Sequence, residues 1–232
     1  MSGTPRERAR EQTLRDITRI GREQLEQVGA AALSLRAVAR DLGVVSSAVY
    51  RYVKSRDELL TLLVVDGFDE LGSEVDAAVA AASEPLDQFL ALARAVRTWA
   101  VREPARYGLL FGSPVPGYDA PSEQTNTPGT RVVVALAKIL DRAHRDGALS
   151  IDTAEVEPGL AADFERIRGE LGLDLPAPLL ARGVLVWSSL FGAVNFEVFG
   201  QYGPDTFTDP SELYEHQLRV LARIAGFTAV SN

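Results

Sequence analysis

Residues 34–60, SLRAVARDLGVVSSAVYRYVKSRDELL, constrain the fold more than any other stretch of the chain. Ser34 is a suitable helix N-cap. Leu35, Val38, Ala39 and Leu42 recur at helical spacing and give the first helix one apolar side. Gly43 follows the last periodic residue, where helices commonly end with positive φ. A second short helix over about 46–53 turns Val49 and Val53 inward. Ser46, Ser47, Tyr50, Arg51 and Lys54 then lie largely on the other side, a set able to grip phosphates and touch base edges. Ser55 and Glu58 fit a capping box, S-x-x-E, ahead of Leu59, Leu60, Leu62 and Leu63. Two short helices across a tight turn, with a third helix directly after, have the layout of a DNA-reading helix-turn-helix.

Ala39, Leu42, Gly43, Val44, Tyr50, Val53, Arg56 and Leu59 stand at the positions of the signature A-x-x-L-G-V-S-x-x-x-x-Y-x-x-F-x-x-K-x-x-L. In this respect the chain resembles the TetR family of bacterial transcriptional regulators over about 50 residues. It departs from that pattern at Val45 in place of Ser, Val53 in place of Phe and Arg56 in place of Lys. With Val45 there, either Ser46 takes over the cap or the cap is missing. The resemblance implies that Tyr50 and Lys54 hold phosphates, together with Ser34 and Arg36 at the start of the preceding helix. Arg51 is the candidate for a bidentate guanine contact, and Ser46 and Ser47 are short enough to approach base edges. With Tyr52, these residues make up the expected DNA-binding set. Arg8 and Arg10 reach toward phosphates from the first helix.

Net charge is −8, which argues against a nucleic-acid partner until its distribution is read. Residues 1–60 carry net +3 and residues 61–232 net −11. A basic head on an acidic body suits a DNA reader with a separate sensing part, because the body repels DNA and confines binding to the head. Cysteine is absent, which removes disulfides, thiolate metal sites and cysteine nucleophiles, and fits a reducing cytoplasm. The charged N-terminus lacks an apolar core, so no signal peptide is expected. The apolar stretch Gly183 to Phe196 is too short to span a bilayer and is expected to be a buried helix, so no membrane partner is expected.

Helical periodicity extends through nearly all of the chain, giving an all-α fold. The spacing predicts helices over about 6–27, 35–42, 46–53, 56–82, 86–102, 104–111, 129–146, 152–171, 176–200 and 210–226. An irregularity is expected at Pro158-Gly159, and a proline-rich loop over 112–128 that is a plausible gate. The expected domains are a DNA-binding head over 1–56 and a ligand-binding and dimerisation body over 57–229.

The stretch from Trp187 to Gly200 resembles the W-x-x-x-H-G motif of one TetR C-terminal subfamily, with Phe191 in place of the His. The resemblance implies a homodimer, formed by two antiparallel C-terminal helices from each subunit. The candidates are 176–200 and 210–226, with Trp187, Ser188, Phe191, Gly192, Leu213, Leu218 and Leu221 at the interface. Two heads one helical turn apart (~34 Å) then read a palindrome in double-stranded DNA. A small, largely apolar effector bound in the body would tilt the fourth helix and release DNA, given ~5.5 kcal/mol of preference for the released form. Candidate effector contacts are Trp99, Tyr107, Phe111, His144, Trp187 and Asn195, with Phe164, Phe196 and Gln88 as further wall or anchor residues. The alternative is a DNA reader whose body binds a protein partner. No nucleophile elbow, Walker loop, dinucleotide fingerprint or paired-histidine metal motif is present, so neither an enzyme, a metal nor a cofactor is expected.

Overall fold

The computed structural model describes residues 4–150 and 155–228. Among these the fold is all-α. The helices are α1 (Pro5–Val28), α2 (Leu35–Asp41), α3 (Ser46–Tyr50), α4 (Arg56–Ala80) and α5 (Pro85–Arg102). Then come α6 (Pro104–Phe111), α7 (Ser122–Arg145), α8 (Pro158–Leu171), α9 (Ala177–Val198) and α10 (Pro210–Ala225). A single 3-10 turn spans Ala30–Ala32. The described residues form no strand, but Leu149 and Phe227 make an isolated antiparallel bridge. The chain divides into two compact units, Met1–Glu70 with Glu103–Gly129, and Leu71–Arg102 with Thr130–Asn232.

The first unit is built on the apolar pattern of α1 to α4. Ile17, Ile20, Leu25, Leu35, Val38, Val49, Val53, Leu59 and Leu63 form one buried cluster. Burying each such side chain contributes roughly 1.5–3 kcal/mol, which offsets the weak intrinsic stability of helices as short as α2 and α3. Gly21 lets α1 approach α4 closely, since a Cβ there would lie 3.2 Å from side-chain carbons of Leu59 and Leu63. Beside this cluster sits an ionic one. Arg106 of α6 is 2% exposed. Its guanidinium reaches Asp66 at 3.0 Å, Glu70 at 2.9 Å and Glu103 at 3.3 Å. Arg22 of α1 bonds the same Asp66 at 2.6 Å through Nε. These charges tie α1, α4 and α6 together.

In the second unit α5, α9 and α10 pack on one another. Phe89, Trp99, Val186, Leu190, Val194 and Leu218 are buried there. Arg97 forms a two-pronged pair with Glu197 at 2.6 and 2.7 Å, and the Tyr214 hydroxyl donates to the Ala93 carbonyl at 2.8 Å. Asp141 of α7 is buried and accepts the N–H groups of Asp174 at 2.6 Å and Leu175 at 3.1 Å. That bond fixes the turn between α8 and α9.

Several elements differ from the sequence-based expectation. α3 ends at Tyr50, not near 53, because the Val49 carbonyl accepts from both Tyr52 and Val53 and closes the helix in a turn. The loop expected over 112–128 is shorter. α7 begins at Ser122, where the Pro121 carbonyl accepts from Gln124 and Thr125, and the helix continues through Pro128. The carbonyl that Pro128 leaves without a helical donor belongs to Gln124, an exposed residue that water can serve. α8 starts at Pro158, whose fixed φ and missing N–H suit the first helical position. Of the helix expected from Asp152, residues 152–154 lie outside the described residues, and 155–157 are not helical. α9 lies within the helix expected over 176–200, but it is not wholly buried. At 22 residues it is long and apolar enough to cross a membrane by length and composition. One row, Leu179, Val186, Leu190 and Val194, is buried, while Val184, Leu185, Trp187 and Phe196 are exposed.

Candidate nucleic-acid interface

The head's outer surface is set by what lies beneath it. Val49 and Val53 are buried, so the backbone between them is held with Tyr50 and Arg51 outward. Ser47, Tyr50, Arg51 and Lys54 are exposed, and Ser46 is half-buried at the first position of α3. Tyr50 keeps 42% of its surface in solvent despite its large ring. Arg36 is exposed on α2, and Ser34 stands half-buried at the N-cap position with no side-chain cap bond. Gly43 takes φ 70°, the left-handed conformation the turn requires.

Tyr52 is placed differently from the others. It packs against the head core, and the Arg10 guanidinium sits 5.5 Å from its ring centre. Arg10 is thereby held against Tyr52 by a cation–π contact. At Val45 the missing hydroxyl has a visible result. Val45 occupies the N-cap of α3 with no side-chain cap bond, and Ser46 does not replace it.

Two supporting contacts are not evident in the sequence. Arg56 Nη2 donates to the Ala30 carbonyl at 2.9 Å and the Ala31 carbonyl at 3.2 Å. It anchors the 3-10 turn leading into α2. Gln24 donates to Asp41 at 3.0 Å, tying α1 to the end of α2. That bond, with a lesser one from Arg40, holds the Asp41 carboxyl below its ordinary range. The capping pair before α4 is also partly rewired. The Glu58 N–H donates to Ser55 Oγ at 3.1 Å, but the Glu58 carboxylate accepts from the Lys54 N–H at 2.6 Å. Glu58 thus fixes the backbone under Lys54.

The proline-rich loop belongs to the first unit. Val115 and Tyr118 pack on the head core, and the Tyr118 hydroxyl lies 3.1 Å from Thr61 Oγ1. Burial pushes the Tyr118 hydroxyl above the usual tyrosine value, partly offset by that bond.

The six effector candidates are not gathered in one place. Tyr107 and Phe111 lie in the first unit with ring centres 5.0 Å apart, and Phe111 meets Phe68 edge-on. Trp99, His144, Trp187 and Asn195 lie in the second. Trp99 is completely buried in α5, and His144 and Asn195 are half-buried. Phe164 is buried, Phe196 is exposed, and Gln88 donates to the Ala82 carbonyl, two residues beyond α4. A cavity of about 420 Å³ lies among α7, α8 and α9, and of the six candidates only Trp187 lines it. Its other walls include Val133, Val134, Ala137, Leu140, Leu171 and Leu180, aliphatic residues that read as ordinary helix core in the sequence. Of the interface candidates, Trp187 and Ser188 are exposed and Phe191, Gly192 and Leu213 half-buried. Leu218 and Leu221 are buried within the chain itself.

A short exposed helix, set by a glycine turn on a four-helix core and carrying hydroxyl, tyrosyl and basic side chains, defines a helix-turn-helix DNA-binding protein. Comparison with known proteins gives the family. Residues 17–63 match the family described as bacterial regulatory proteins, tetR family, and residues 89–221 match the tetracyclin repressor-like C-terminal domain. The HTH-type transcriptional regulator Rv1816 of Mycobacterium tuberculosis is 47% identical over 218 residues, 93% of each chain. The crystal structure of the regulatory protein SCO4313 is 32% identical, with a TM-score of 0.77 over 94% of this chain and 98% of that one. A tetR-family regulatory protein from Rhodococcus RHA1 shares the fold at 14% identity, with a TM-score of 0.62 over 93% and 97% of the chains. The chain belongs to the TetR family of transcriptional regulators, a family of DNA-binding proteins and not of enzymes.

Proposed function

We propose that the chain is a cytoplasmic homodimeric repressor that binds a palindromic operator and is released by a small, largely apolar effector. Residues 1–56 bind DNA and residues 57–229 bind the effector and the second copy. The observation that carries the reading is the exposure of Ser47, Tyr50, Arg51 and Lys54 around the buried Val49 and Val53. Arg51, with Ser46 and Ser47, meets base edges, while Tyr50, Lys54, Ser34 and Arg36 position the head on phosphates. Tyr52 acts from beneath, since it packs on the core and holds Arg10.

The exposed row Val184, Leu185, Trp187 and Phe196 on α9 supports a second copy as partner, because apolar surface of this kind seeks cover. Within such a dimer α9 supplies the larger share of the contact, given that Leu218 and Leu221 of α10 are occupied inside the subunit.

The test is selection of bound sequences from a random DNA pool, run with the full chain at physiological salt. Enrichment of an inverted repeat, with a dimeric mass by light scattering, is the expected result. A single unrepeated half-site bound by a monomer would overturn the homodimer.

A further inference from the structure

We propose that the cavity among α7, α8 and α9 is the effector site, and that it takes a lipophilic, non-acidic molecule. The inference rests on the effector-released reading above and adds a place and a chemical class. At about 420 Å³ the cavity falls within the size range of small-molecule pockets, ~300–1,000 Å³. Its walls are hydrocarbon, with Val134 and Ala137 on α7, Leu171 on α8 and Leu180 on α9. The indole of Trp187 adds a flat apolar face.

The polar groups decide the class. Among the described lining residues only Thr130, Glu170 and the Trp187 indole N–H are polar, and none is basic. A carboxylate or phosphate seated here gives up its water with no cation to replace it. Glu170 adds like-charge repulsion. Arg166, one turn earlier on α8, is already shared by Asp163 at 3.2 Å and Glu170 at 3.6 Å. A hydroxyl or carbonyl costs far less to bury than an ionised acid, and a protonated amine gains Glu170 as a partner. Glu170 is exposed, so it sets charge preference, and hydrocarbon burial supplies most of the affinity.

Three ten-carbon probes test this by calorimetric titration of the full chain at neutral pH: decan-1-ol, decylamine and decanoate. Decanol and decylamine are expected to bind at least about tenfold more tightly than decanoate. Ala137→Phe fills the cavity and weakens decanol by at least about tenfold. Glu170→Lys, at an exposed position, reverses the order of decylamine and decanoate. Tightest binding of decanoate by the unaltered protein overturns the class. Unchanged decanol binding by Ala137→Phe overturns the place. Should that variant melt early, Glu170→Lys decides alone, and an unreversed order overturns the assignment. Selection of an inverted repeat with no binding of any probe overturns this inference and leaves the DNA reader standing. Tight decanol binding without any selected DNA overturns the regulator reading instead.

Discussion

Replacing Arg106 by methionine keeps an unbranched side chain in place of the arginine stem and removes the charged guanidinium. Arg106 is 2% exposed and faces Asp66, Glu70 and Glu103 at 3.0, 2.9 and 3.3 Å. In the variant the three carboxylates keep Arg22 as their shared cation, bonded to Asp66 and 3.5 Å from Glu70. Breaking a buried pair from one side costs ~3–5 kcal/mol, mostly from the charge left behind. The carboxylates here keep some contact with water, which places the expected loss near the lower end, ~3 kcal/mol. For a chain of this length that corresponds to a melting temperature lower by about 6–12 °C. Thermal unfolding by circular dichroism measures it. Arg94→Met is the control, because the Arg94–Glu215 pair is exposed and such pairs contribute only ~0–1 kcal/mol. A double-mutant cycle with Asp66→Asn should give a coupling above ~1 kcal/mol. If Arg106→Met costs no more than Arg94→Met, the claim that these charges hold α1, α4 and α6 together is wrong.

Other consequences follow from the same geometry. Arg51→Ala should cost ~1–3 kcal/mol and relax preference at one operator position, whereas Lys54→Ala should weaken all sequences alike and lower the salt slope by about 1. Competition assays across a salt series separate the two, and equal behaviour removes Arg51 from the bases. Asp141→Ala strips the acceptor from two backbone N–H groups, and a loss of ~2–4 kcal/mol in urea unfolding is expected, with a loss under ~1 refuting the capping role. The Glu215 carboxyl is held below its ordinary range chiefly by the Arg94 hydrogen bonds. A depressed carboxyl stabilises the fold above its unfolded value of ~4.3, and that contribution is lost as pH falls through the native value. Arg94→Ala should therefore flatten the stability–pH curve in that acidic window, lowering stability above it and leaving stability unchanged below it, where Glu215 is protonated.

The head is legible in sequence because its determinants are local. Gly29 and Gly43 end their elements with positive φ, and the spacing of Leu35, Val38 and Ala39 fixes which side of α2 is buried. Local rules also err where local context overrides them. Pro128 marks a helix start by propensity, yet α7 runs through it because its N-terminal turn is anchored at Pro121. What the sequence conceals depends on distance. Arg56 meets carbonyls 25 and 26 residues earlier, Asp141 meets amides 33 and 34 residues later, and Arg106 meets Asp66 across 40 residues. Charged residues at such separations carry no periodicity, so nothing distinguishes them from solvated surface. The cavity is hidden for a related reason. Aromatic and polar residues suggest a pocket by type, but the walls are valines, alanines and leucines whose spacing is that of any packed helix.

α9 brings these points together. By composition it suits a bilayer, and by its exposed row it suits a protein surface. Its ion pair separates the two. Glu197, near the end of α9, is half-buried and held by two bonds to Arg97 of α5 at 2.6 and 2.7 Å. Moving α9 into lipid would break that pair and leave Arg97 uncompensated, and would also expose the buried row of Val186, Leu190 and Val194 to lipid, which gains little over its present packing. Covering Val184, Leu185, Trp187 and Phe196 with a second copy keeps the pair and the core intact, and removes apolar surface from water. The same helix carries Trp187 and Val184 into the wall of the cavity. A ligand seated there would touch the same element that is proposed to meet the second copy.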